Sequence, residues 1–220
     1  GRCNEAIRYF NTFYKKRRGE IDSRYKSWAK IEIEGCELKK QLEKSPIKIE
    51  IEHLDSVINS PYTDISPLKW NDSILIYSSL PSDTVIVLED NSEQKDYFLK
   101  FYEINLLQDT LRAEVFDLFN EQGAHVANGA FSPDKKRFYF TKCYENINGI
   151  PICAIYESKL FRGKWTAPSA LPESINFASS NSTHPTIAPY SGGREVLYFV
   201  SDRANGYGGK DIWYSIINRN

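Results

Sequence analysis

Asp202, Arg203 and Asp211 are the strongest polar cluster in the chain. They lie in the run Ser201-Asp202-Arg203-Ala204-Asn205-Gly206-Tyr207-Gly208-Gly209-Lys210-Asp211-Ile212-Trp213-Tyr214. Two carboxylates and a guanidinium at this spacing suit either a carboxylate–guanidinium site or a calcium loop. Calcium needs a dense alternation of oxygen ligands, and this run interposes glycines instead. The reading is therefore structural: Arg203 and a carboxylate tie the segment together, while Gly206, Gly208 and Gly209 permit unusual dihedrals.

The other chemistry-bearing residues are sparse. Cys143 and Cys153 flank Asn148-Gly149, a hairpin signal. A strict two-residue loop would set Cys143 opposite Ala154, so a disulfide here requires a one-residue bulge. Cys3 and Cys36 fall on two helical segments and form a second candidate pair. Buried free thiols are the alternative for both pairs. No Cys-x-x-Cys occurs, and His53, His125 and His184 show no metal-ligand spacing, so neither structural zinc nor any cofactor is expected. His184-Pro185 opens a strand and is a candidate for lining a channel. A nucleophile would need a partnered serine or a nearby acid in a recognisable elbow, and neither is found. Ser66-Pro67 and Ser132-Pro133-Asp134 read as turn chemistry. No catalytic residue is assigned.

Two patterns must position these residues, and they change over near Pro46. Before it, Ala6, Tyr9, Phe10, Phe13 and Tyr14 recur at helical spacing, followed by Lys15-Lys16-Arg17-Arg18 and Gly19, a helix end with its stop. Ile21, Tyr25, Trp28, Ala29, Ile33 and Cys36 repeat the pattern. Residues 3–18 and 21–44 are read as an antiparallel helix pair. After Pro46 the period becomes two: Ile47, Ile49 and Ile51 alternate with Lys48, Glu50 and Glu52, as in a half-buried strand. Short strands and polar turns continue to the end, with residues 109–119 readable as helix or strand. Charge divides at the same place. Residues 1–46 carry 12 Lys/Arg against 7 Asp/Glu, and residues 47–220 carry 16 against 22.

Composition bounds the function. The 220 residues are 41% hydrophobic and 14% aromatic, which suffices for a sizeable core and excludes wholesale disorder. A net charge of -1 argues against a nucleic-acid binder, which needs a concentrated basic surface. No apolar run approaches the ~18 residues of a membrane span. Gly1 leads into a polar, helix-like segment, so no signal peptide is expected in the chain.

Internal repetition is the most informative feature. One unit runs Ile58-Asn59-Ser60, Asp64 to Leu68, then Ile74 to Ser79. A second runs Asn128 to Asp134, then Arg137 to Thr141. A third runs Ile175-Asn176, His184 to Pro189, then Val196 to Arg203. Each has a polar entry, a short strand, a turn and a strand that is apolar on both sides. A strand of that kind belongs inside a stack of sheets, and packing sheets radially leaves only short edges. The expected fold is mainly β with an N-terminal α-helical pair, the β part being a β-propeller. A blade takes about 40–45 residues and a ring about 4–8 blades. Residues 47–220 hold about three blades, part of a larger propeller.

The run from Ser201 to Tyr214 resembles the hallmark of TolB-type, WD-like propeller repeats. Asp202, Arg203, Gly206, Gly208, Gly209 and Asp211 fall in place, and Asn205 stands where a glycine is common. The first two units lack the full loop. Residues 1–46, through Ala29 to Leu38, resemble the end of a tetratricopeptide-like array. The combination is similar to outer-membrane-associated proteins of the Bacteroidetes type, in which helical repeats, a propeller and often an OmpA-like peptidoglycan-binding domain lie in series. The resemblance implies a periplasmic, outer-membrane-associated, non-enzymatic scaffold. Its partners would be other envelope proteins, in a type IX secretion, gliding or other envelope complex, with peptidoglycan reached only through a domain outside this chain. Two alternatives stand beside it: a glycan- or peptidoglycan-binding propeller that uses Trp70, Trp165 or Trp213 as stacking platforms, and an accessory propeller of a larger peptidase.

Overall fold

Within each sheet the alternating apolar strands after residue 54 pair antiparallel, mostly with their sequence neighbours. The computed structural model describes residues 2–16, 22–80 and 98–217. The chain divides into two compact units, residues 1–53 and 54–220. Among the described residues it is mainly β with two α-helices.

In the first unit, α1 spans Cys3–Lys16 and α2 spans Ser23–Lys44. Asp22 caps α2 by accepting from the Arg24 backbone N–H at 2.9 Å. Tyr14 Oη donates to the Lys26 carbonyl, and Cys3 meets Cys36, so the helices run antiparallel, as the spacing predicts. Residues 17–21, which include Arg17, Arg18 and Gly19, lie outside the described residues. The strand expected at Ile47, Ile49 and Ile51 does not form. Residues 46–53 have no regular structure, and Ile51 is 90% exposed. Alternation makes a strand only where a neighbouring strand takes its N–H and C=O groups, and among the described residues none pairs with this segment.

The described residues of the second unit form three antiparallel sheets in chain order. The first is β1 (Asp64–Lys69), β2 (Ile74–Ser79), β3 (Lys100–Asn105) and β4 (Ala113–Val115). The segment 109–119, open to either reading in the sequence, thus supplies a short edge strand followed by a turn. The second sheet is β5 (Ala124–Phe131), β6 (Arg137–Glu145) and β7 (Pro151–Phe161), with β8 (Lys164–Trp165) and β9 (Ser169–Ala170) both pairing β7. The third is β10 (Ser182–Pro189), β11 (Glu195–Ser201) and β12 (Asp211–Ile217). The leading strands lie side by side, β1 against β5 and β5 against β10.

Because side chains alternate across a strand, each sheet has two apolar faces and shares one with its neighbour. Ile76 and Phe101 of the first sheet meet Phe138 and Phe140 of the second, around Phe119. Tyr139 and Ile155, on the second sheet's other face, meet Leu197 and Phe199 of the third, around Ile175. Leu75, Tyr77 and Ile104, on the first sheet's remaining face, pack on Ile58. The first seam is aromatic: the Phe119 and Phe138 ring centroids lie 4.9 Å apart and those of Phe101 and Phe138 5.4 Å. Burying each such ring contributes roughly 1.5–3 kcal/mol. Gly129 is fixed by this packing, since a Cβ there would lie 2.2 Å from Phe138 Cζ.

Candidate functional site

Two strand starts bring opposite charges together across the second seam. Arg137 opens β6 on the face that carries Tyr139, and Glu195 opens β11 on the face that carries Leu197. The Arg137 guanidinium donates to Glu195 Oε1 at 2.9 Å and lies 2.8 Å from Oε2, with the Glu195 side chain fully buried. Register sets Glu157 opposite Tyr139 and Lys159 opposite Arg137. Arg137, Tyr139, Glu157 and Lys159 line a groove of about 750 Å³ whose apolar wall includes Leu171, Ile175 and Ile217. Burial, reinforced by the Glu157 charge, pushes the Tyr139 phenol well above its ordinary range, so it stays protonated. The Tyr139 hydroxyl is buried beside these charged groups. That arrangement suits hydrogen bonding, not nucleophilic attack.

The loop around Asp202, Arg203 and Asp211 is held by three separate ties. Arg203 donates to the carbonyls of Ser174, at 3.1 Å, and Ile175, and its Nε lies 3.1 Å from Ser201 Oγ. Its guanidinium stacks 4.9 Å from the Phe199 ring and 5.2 Å from that of Trp213. No carboxylate pairs with it among the described ion pairs, which corrects the expected carboxylate tie: carbonyls at the end of the preceding turn take its protons instead. Asp202 accepts from Asn181 N at 2.6 Å and Nδ2 at 2.8 Å, and those bonds hold its carboxyl below the usual range. Asp211 accepts from the Gly208 N–H at 3.1 Å. Of the loop's described residues only Asn205 has positive φ, +71°, so Gly206, Gly208 and Gly209 are not there for left-handed backbone. Gly206 is required by space, because a Cβ would lie 2.0 Å from Asp211 Oδ2.

The cysteines divide. Cys143 and Cys153 form a disulfide. They sit directly opposite each other in the ladder, 4.0 Å apart at Cα. The Cys153 N–H points outward to Asn181 Oδ1, which marks the close, non-hydrogen-bonded type of pair. The expected bulge is absent. The connection runs from Asn146 to Ile150, with Asn146 Oδ1 accepting from both Asn148 and Ile150, and the longer loop restores register. Cys3 and Cys36 are free thiols, not the disulfide considered from the sequence. Their mutual hydrogen bond raises the Cys36 thiol.

Each leading strand carries a bulge with one left-handed residue: Ser66 (φ +54°), Asn128 (+57°) and His184 (+52°). Ser66-Pro67 is therefore a bulge inside a strand and not a turn. Adjacent sheets touch here: Ser66 Oγ donates to Asn128 Oδ1 at 2.7 Å, and the His184 N–H donates to Thr141 Oγ1 at 3.1 Å. His184 is exposed. Trp70, Trp165 and Trp213 are half-buried and packed in the seams, Trp70 and Trp165 with centroids 5.8 Å apart. Among the described residues no group of three or more His, Cys, Asp or Glu is placed to hold a metal ion.

A second concavity lies on the helix pair. Tyr9, Phe10, Phe13, Tyr25, Trp28 and Ala29 line an apolar groove of about 530 Å³, with Trp28 61% exposed.

Sequence reasoning missed the Arg137–Glu195 pair, whose members no local spacing links. It also missed Phe119-Asn120, although the apolar–Asn signal at Ile58-Asn59 and Ile175-Asn176 recurs there.

No protein-family model and no curated protein matches the chain. Among solved structures, the crystal structure of a thermostable family-43 glycoside hydrolase is similar at TM-score 0.39 and 18% identity, over 70% of this chain and 50% of that one. The chain thus spans half the length of that structure. A likeness of this size assigns it no activity.

Proposed function

We propose that the three sheets are blades of a TolB-type β-propeller and that the chain is a non-enzymatic scaffold for protein partners in the bacterial envelope. In this reading α1 and α2 end a tetratricopeptide-like array, and the propeller is larger than three blades. Sheets in chain order with their leading strands side by side support the propeller. A cross-strand disulfide supports an oxidising compartment such as the periplasm. The half-buried tryptophans favour a scaffold over a glycan binder, because their faces are occupied by packing.

The observation that carries the reading is the groove of exposed aromatic side chains on the helix pair, in a segment with 12 Lys/Arg against 7 Asp/Glu. Exposed aromatic clusters of this kind anchor protein interfaces. Its charge fits a protein helix with an apolar face and acidic flanks. The test is photo-crosslinking from a benzoyl-phenylalanine at Tyr25 in native envelope membranes. A discrete crosslinked partner that Trp28→Ala abolishes and Tyr198→Ala leaves intact supports the scaffold. A chain recovered alone, or a crosslinking pattern indifferent to Trp28→Ala, overturns it.

A further inference from the structure

The chain contains three Asn-Gly pairs: Asn128-Gly129, Asn148-Gly149 and Asn205-Gly206. An asparagine followed by glycine carries its own electrophile and nucleophile. The backbone nitrogen of the glycine can attack the side-chain carbonyl carbon of the asparagine, because the glycine has no Cβ to obstruct the approach. A folded chain permits this only where the nitrogen is unbonded and the backbone is locally free to turn. The three pairs differ in both respects.

Asn128-Gly129 is held in the first seam. Asn128 Oδ1 accepts from Ser66 Oγ at 2.7 Å, and the buried Phe138 ring covers Gly129 so closely that a Cβ there would lie 2.2 Å from Cζ. Asn148-Gly149 is exposed but tied. The Gly149 N–H donates to the Asn146 carbonyl at 2.9 Å, and Asn146 Oδ1 accepts the N–H groups of Asn148 and Ile150 at 2.9 and 3.0 Å. The disulfide between Cys143 and Cys153 closes the same hairpin. Asn205-Gly206 lacks such ties. Both residues are exposed, and among the described residues no hydrogen bond engages the Gly206 N–H or the Asn205 side chain. What crowds Gly206 is the carboxylate of Asp211, a side chain held by one bond, from the Gly208 N–H at 3.1 Å.

We propose that Asn205-Gly206 is a self-modification site, at which the folded chain converts its own asparagine to aspartate and isoaspartate. The Gly206 nitrogen loses its proton and bonds to Asn205 Cγ. The Cγ–Nδ2 bond breaks, ammonia leaves with that proton, and a succinimide ring remains. Water then opens the ring at either carbonyl. The net change is one amide and one water for one carboxylate and one ammonium ion, with no transfer of electrons. Asn205 sits at φ +71°, a region that aspartate tolerates as asparagine does, so the aspartyl product keeps the backbone of the loop. The isoaspartyl product routes the chain through Cβ and lengthens it by one carbon, which displaces Gly206 from Asp211. Either product adds a negative charge to a loop that already carries Asp202 and Asp211.

The experiment is a timed incubation of the full 220-residue chain at neutral and mildly alkaline pH. Peptide mapping by mass spectrometry follows each asparagine, and enzymatic methylation marks isoaspartate. Asn205 is expected to convert roughly tenfold or more faster than Asn148 or Asn128, since their restraining bonds must break before attack. Its rate should rise with pH, because the attacking nitrogen must lose its proton. In urea with the disulfide reduced, the three rates should converge through acceleration at Asn128 and Asn148. Asn205→Gly keeps the left-handed backbone and removes the amide. With its fold verified by near-UV circular dichroism, it should lose the acidic species that the wild type accumulates on anion exchange. Asn128 or Asn148 converting as fast as Asn205 in the folded chain overturns the proposal. So does an acidic species undiminished in Asn205→Gly, or an Asn205 that stays intact in the folded chain while the unfolded chain converts.

Discussion

The inner face of the first sheet and the outer face of the third are made of the same kinds of residue in the same register, with opposite fates. Ile76 and Phe101 disappear under Phe119, Phe138 and Phe140, while Tyr198 and Ile212 face solvent. Hydropathy is therefore a property of the strand, and burial a property of what stands beside it. A strand apolar on both sides announces that two neighbours are wanted without saying whether both are present. The asparagines after the buried turn residues teach the same lesson for polar groups: Asn120 and Asn176 clamp the amide and carbonyl of Phe101 and Ile155, and Asn59 holds its own loop.

The sharpest way to break the comparison is truncation on each side of it. Phe138→Ala should cost about 3–5 kcal/mol by opening a cavity in the filled seam, and Tyr198→Ala less than ~1 kcal/mol. Urea unfolding measures both, and equal losses would show that the outer face is already covered. Next in size is the clamp. Asn176→Ala should cost about 2–3 kcal/mol, because the Ile155 amide and carbonyl lose their partners, with faster amide exchange at Ile155 as a local readout. Asn59→Ala, which loses only a bond to the Leu54 carbonyl, should move stability by under ~1 kcal/mol. Removing the disulfide with Cys143→Ser and Cys153→Ser should cost about 2 kcal/mol in the second sheet, read as a lower urea midpoint. The smallest effect is the acid limb. Asn181 holds the Asp202 carboxyl low in the folded chain, so this contribution is complete above the ordinary carboxylate pKa of about 3.9 and fades as pH falls through the folded value. Asp202→Asn should lower stability at neutral pH, and its difference from the wild type should close in acid.

Much of the architecture can be read without coordinates. The helical period of Tyr9, Phe10 and Phe13, the alternation in β2, β6 and β11, and the pairing of Cys143 with Cys153 are local signals, and local geometry enforces them. The failures are local signals without a neighbour. Ile47, Ile49 and Ile51 have the pattern of a strand and no strand to pair with. Gly206 looks like a dihedral device and is a steric one, because the carboxylate of Asp211 folds back over it. The charged groove stays invisible because Arg137 and Glu195 meet only when two sheets stack.

The order of side chains alone determined which residues alternate and where the chain changes from helical to strand period, since those depend on backbone sterics and solvent over a few residues. Which apolar face is filled, which carbonyls receive Arg203 and which buried carboxylate receives Arg137 were decided by tertiary packing. Those energies depend on groups brought within a few ångströms by the whole fold.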